Sequence, residues 1–226
     1  MKRKVANREA IQLLLMNLVP LAGVIGLGWD PVLLFIFYAL ETLVAGLFNL
    51  PKLYLSAQQH PKATIPAQGG QRHYSAIGLM LFFTFHYGFF VFVQLTIFFG
   101  ILTMSNYDIP GVTLVDSFFS APVNIARLAG QEMAIVLGFM GFTYLMSFIS
   151  DYVIGHKARE TTPAAQMFEP YPRIFVQQFV VILAGWIMVI QFHNLPFLIL
   201  FVIVKTVVDY FMLRKGPELV KTMRFE

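Results

Sequence analysis

Lys205 and Asp209 stand four residues apart inside the apolar run 194–214, NLPFLILFVIVKTVVDYFMLR. On a helix that spacing puts both side chains on one face, one turn apart. The run is long enough to cross a bilayer. A charge placed in hydrocarbon costs from about 2.5 kcal/mol upward, so Lys205 must face protein or water and must have a partner. Other apolar runs carry polar groups at a similar depth: Glu41 and, two turns below it, Asn49 in 31–55; His86 in 74–102; Gln177 and Gln178 in 171–192. Tyr38 and Tyr87 could join them. Each is costly alone, so the expectation is that they converge. Lys205 then pairs with Glu41 across helices or with Asp209 along its own, and His86 donates to the remaining carboxylate. A buried histidine between carboxylates changes protonation near neutral pH. Such a cluster can pass protons or a small solute, can act as an acid–base pair through Glu41 and His86, or can simply fix helix register.

Other chemistries find little support. With no cysteine, thiol catalysis, thiolate metal sites and disulfides are excluded. Haem held by two histidines needs a second deep one. His193 falls at a span boundary, and His60, His73 and His156 fall in loops. No cofactor and no metal are expected. The chain contains no Gly-x-Ser-x-Gly, no His-Glu-x-x-His, no P-loop and no Gly-x-Gly-x-x-Gly. No motif names a reaction, and a non-enzymatic protein is favoured.

The elements that must position these residues follow from composition. Of 226 residues, 58% are hydrophobic and 12% charged, against roughly 25% charged in a soluble domain. Mean hydropathy is +0.70. The reading is one all-α polytopic membrane domain over 1–226. Six transmembrane helices are expected at about 9–27, 31–55, 74–102, 130–154, 171–192 and 194–214, with 1–8 a retained basic anchor. Pro20 is expected to kink the first. The segment 56–72, with Pro61, Pro66 and Gly69-Gly70, reads as a loop. Between the third and fourth spans, Leu114, Val115, Phe118 and Phe119 suggest a short outer interfacial helix that Pro122 interrupts. Small residues four apart, Ala22 with Gly26 and Ala134 with Gly138, would allow close helix contact.

Orientation comes from the basic residues. With both termini inside, fourteen of the sixteen Lys and Arg fall on the cytoplasmic side, Arg127 falls outside and Lys205 lies within a span. That asymmetry predicts a multipass inner-membrane protein with cytoplasmic termini. It also accounts for the pI of about 9.3 without nucleic acid as a partner.

The segments Phe37-Tyr38-Ala39-Leu40-Glu41-Thr42, Gly46-Leu47-Phe48-Asn49, Phe85-His86-Tyr87-Gly88, Arg173-Ile174 and Lys205-Thr206-Val207-Val208-Asp209 resemble an uncharacterised bacterial multipass membrane family, known only as a domain of unknown function. The resemblance implies that Glu41, His86, Lys205 and Asp209 belong together, and it supplies no activity. Its members tend to carry a second histidine in the fifth span, where this chain has Gln177 and Gln178, which speaks further against a two-histidine site. Three function classes remain: transport of an ion, proton or small solute; an accessory or scaffold subunit of a larger membrane complex; and a membrane enzyme acting on a lipid or apolar substrate. The lipid bilayer is the expected partner, with a homodimer or larger complex compatible with the size.

Overall fold

The computed structural model describes residues 2–61, 64–67, 70–73, 75–104, 111–171, 174–175, 178–179, 182 and 195–222. Helix α1 is Lys2–Leu27 and α2 is Pro31–Gln59. Strands β1 (Thr64–Ala67) and β2 (Gly70–His73) follow, then α3 (Ala76–Met104), α4 (Ala121–Leu128) and α5 (Gln131–Phe148). A π-helix continues α5 over Ile149–Ile154. A 3₁₀ turn at Lys157–Arg159, α6 (Pro163–Phe168) and a last helix, here α7 (Leu195–Thr222), complete the described elements.

The α1–α2 corner is built by three consecutive residues. Gly28 takes φ +71, the left-handed conformation that ends a helix cheaply only for glycine. The Trp29 N–H then donates back to the Gly23 carbonyl at 3.2 Å. Asp30 caps α2, its Oδ1 accepting from Val32 N at 2.8 Å, while Pro31 takes a first-turn position that lacks a donor anyway.

α2 is the centre of the bundle and packs against α1, α3, α5 and α6, while α1 packs against α7. Within its most apolar stretch α2 is 72% buried, against 22% for α3 and 17% for α5 plus the π-helix. The outer helices therefore turn large side chains outward, among them Phe85, Phe89, Phe142 and Val207. Apolar exposure on that scale suits lipid rather than water. Among the described residues three helices are long and apolar enough to cross a membrane: Pro31–Gln59, Ala76–Met104 and Gln131–Ile154. The apolar part of α1, Leu13–Leu27, is shorter than the roughly 20 residues a full crossing takes. Most of the expected fifth span lies outside the described residues.

Three local expectations are corrected. Segment 56–72 is not all loop: α2 runs to Gln59, and 64–73 form an antiparallel hairpin with Thr64 opposite His73 and Ala67 opposite Gly70. Pro122 does not interrupt a helix but starts one, in the first turn of α4. The residues before it, 113–119, are irregular, pinned by the buried Asn124, whose Oδ1 accepts from Val115 N at 2.8 Å and whose Nδ2 donates to Val115 O at 3.1 Å. Among the described residues no atom lies near the place a Cβ would occupy on Gly26 or Gly138, so they are not close-contact sites there.

Candidate functional site

α7 buries Leu198, Phe201, Val202, Lys205 and Asp209, a stripe at helical spacing. Its apolar upper part is locked to α2 by Phe201, which meets the Phe35 ring edge-on at 4.8 Å. One turn below, Lys205 enters the space between α1, α2 and α7. Its Nζ is 2.6 Å from Asp209 Oδ2 and 3.5 Å from Glu41 Oε2, donates to Asn17 Oδ1 at 2.7 Å, and lies 4.3 Å from the centre of the Tyr38 ring. Lys205 is 1%, Glu41 0% and Asp209 5% exposed.

Asn17, in α1, ties the group together. It accepts from Lys205 and donates through Nδ2 to Asp209 Oδ2 at 3.2 Å. Its backbone carbonyl accepts from Tyr38 OH at 3.0 Å. The network reaches α3 through Tyr87, whose hydroxyl donates to the Thr42 carbonyl at 2.8 Å. The ammonium thus holds two short charge-assisted contacts, a second carboxylate and an aromatic face, which is how a buried Lys offsets its desolvation.

Glu41, Lys205 and Asp209 are brought together, and Tyr38 sits with them. His86 is not. Its side chain is exposed and packs on Phe82 at 5.2 Å, Phe90 at 5.2 Å and Tyr171 at 5.7 Å. The reason is helical phase. The buried stripe of α3 is Leu79, Phe83, Tyr87, Val91, Gln94 and Leu95, with Phe98, Phe99 and Leu102 beyond them. His86, one residue off that stripe, is turned about 100° away. Gln94 is on it, fully buried. Asn17 was missed, although it is the polar residue nearest the middle of the first apolar run.

Asn49 joins a second network at the far end of α2. Its Nδ2 donates to Gln166 O at 3.2 Å, and its Oδ1 accepts from Gln166 Nε2 at 2.7 Å. Gln166 Oε1 accepts from the Tyr152 hydroxyl, and Gln166 Nε2 also donates to Glu169 Oε2. Lys157 Nζ completes the group 3.5 Å from Glu169 Oε1. Gln177 lies outside the described residues.

Desolvation alone would raise the Glu169 carboxyl. Lys52, Lys157 and Gln166 outweigh it and hold it below its ordinary value of 4.5. A lowered folded value means that the ionised form stabilises the fold above about pH 4.5, and that this contribution is lost as pH falls through the folded value. Glu169→Gln is therefore expected to lower the melting temperature slightly at neutral pH, with the gap to wild type closing in acid. The carboxylate is 40% exposed, so the effect is small. A gap that stays constant from pH 7 to pH 3.5 in thermal melts would contradict this.

Among the described residues no three of His, Asp and Glu are grouped as a metal site. No curated protein matches the chain, and no solved structure matches it. A family model described as "Family of unknown function (DUF6498)" matches residues 1–224. The chain belongs to that family.

Proposed function

We propose that this protein is a six-span inner-membrane protein, with cytoplasmic termini, that moves protons or a proton-coupled small solute through the Glu41–Lys205–Asp209 group. The observation that carries the reading is one ammonium shared by two carboxylates, all three buried among apolar helices. Ionisable groups inside a membrane bundle are by default pathway candidates. The six-span arrangement is supported by the one-sided Lys and Arg distribution. The 28 residues of α7 support it too, since at 1.5 Å per residue they exceed a bilayer core. Many transporters rest on paired repeats, so a homodimer is part of the proposal.

The test is proton flux into liposomes with an entrapped pH dye. Wild-type protein, driven by a potassium diffusion potential, is expected to conduct above the empty-liposome rate. Glu41→Gln should cut that rate at least tenfold, and Arg127→Gln should leave it unchanged. Wild-type flux equal to that of empty liposomes would end the reading.

One observation favours a second reading, an enzyme or carrier for an apolar ligand. A cleft of about 230 Å³ lies between α3 and Ile174, Phe175 and Gln178, with Phe90 and Val93 lining its α3 side. Phe90 also packs against His86. Lipid that co-purifies with wild type and is lost in Val93→Trp would support this reading over the first.

A further inference from the structure

At the end of the bundle that carries Lys52 and Lys157, the chain makes an unusual turn. The helix begun by α5 ends in a π-helix, Ile149–Ile154, a rare form that is frequent at functional sites. Gly155 follows, with no room for a side chain, since a Cβ there would lie 2.8 Å from the Asp151 carbonyl and 3.0 Å from that of Ser150. His156 then adopts φ +52, the only non-glycine with positive φ among the described residues. A histidine held in the left-handed region marks a backbone that its surroundings over-determine.

This turn closes a cleft of about 140 Å³ against the end of α2, lined by Leu55, Gln59, Tyr152, His156, Ala158 and Arg159. Among the described residues no carboxylate lines it. The nearby acid Glu169 is occupied by Lys157 and Gln166. Among the described residues the side chains of Gln59, His156 and Arg159 make no hydrogen bond or ion pair. Three exposed polar side chains from two elements thus line one space, with donors open to a ligand. Beside it Val153 and Ile154 are exposed at 52% and 70%, so an apolar surface adjoins the polar one.

We propose that this cleft binds a phosphate group. The Arg159 guanidinium presents a planar fork that matches two phosphate oxygens. Gln59 adds an amide donor, and His156 an imidazole that can donate. Two sources can supply the group: the headgroup of an anionic phospholipid, whose chains would run along Val153 and Ile154, and soluble phosphate. The site is separate from the Lys205 group and does not depend on its role.

The experiment uses the full chain in a neutral detergent, with wild type, Arg159→Gln, Gln59→Ala and, as a control, Arg127→Gln. Gel filtration and circular dichroism confirm that each is folded. Two probes are titrated separately, short-chain phosphatidylglycerol and inorganic phosphate, with short-chain phosphatidylcholine as the zwitterionic comparison. Binding is read by thermal shift and by adducts in native mass spectrometry. The expected result is that wild type binds phosphatidylglycerol or inorganic phosphate and that Arg159→Gln weakens it about tenfold or more. Gln59→Ala should weaken it less, and Arg127→Gln should leave it unchanged. Phosphatidylglycerol bound without competition from inorganic phosphate assigns the lipid source; inorganic phosphate bound alone, or competing, assigns the soluble one. Binding of neither probe, or equal binding by wild type and Arg159→Gln, overturns the proposal.

Discussion

Lys205→Met is expected to destabilise the protein by about 3–5 kcal/mol, the cost of breaking a buried ion pair from one side. Methionine fills nearly the same volume, so packing is not the main loss. What is lost is the partner that Asp209 holds at 2.6 Å and Glu41 at 3.5 Å. Two carboxyl groups at 5% and 0% exposure are left without the ammonium, and Asn17 loses the donor to its Oδ1. The deficit is electrostatic, so it should shrink when the stranded charges go too. The triple variant Lys205→Met, Asp209→Asn, Glu41→Gln is expected to recover a large part of the stability. Thermal melts in mild detergent, followed by tryptophan fluorescence, read both variants. An unchanged melting temperature for Lys205→Met would refute the pairing. A triple variant no more stable than the single one would assign the loss to packing.

The core of this group was readable because charge in an apolar run is costly wherever it sits. Lys205 and Asp209, four apart, can share a helix face, and Glu41 was the nearest acid at matching depth in another span. What could not be read was the phase of α3. From Phe82 to Phe92 the chain is largely aromatic, Phe-Phe-Thr-Phe-His-Tyr-Gly-Phe-Phe-Val-Phe, and nearly every residue is apolar enough to face either lipid or protein. Periodicity carries no signal when both faces are apolar. The structure puts Tyr87 inside and His86 outside, one residue apart. The hairpin at 64–73 was hidden for a different reason. Its strands contain Pro66 and Gly70, residues that weaken any strand pattern. Pro122 is ambiguous by nature, since proline ends one helix and starts the next. Membership of a family of unknown function was carried by short segments, of which those around Glu41 and Lys205 fall in the buried group.

Gly46→Leu is expected to be the second most damaging single change, through the α2–α3 contact that places Tyr87. A Cβ on Gly46 would lie 2.4 Å from the nearest atom of the Tyr87 ring and 2.8 Å from the next, far inside contact distance. Tyr87 cannot easily yield. Its hydroxyl donates to Thr42 O at 2.8 Å, its ring stacks on Phe83 at 4.9 Å and meets Tyr171 at 5.9 Å, and it is itself buried. Overpacking of this kind costs about 1–3 kcal/mol or more. Gly46→Ala should cost less, and Gly46→Ala with Tyr87→Leu should recover part of it by clearing the ring. If thermal melts in detergent show Gly46→Leu as stable as wild type, the helices are not in contact at this point. The route from Lys205 through Tyr38 and Thr42 to α3 would then be cut. Gly26→Leu supplies the comparison: among the described residues no atom lies within 4 Å of its Cβ position, so a side chain there meets none of them and should leave the melting temperature nearly unchanged.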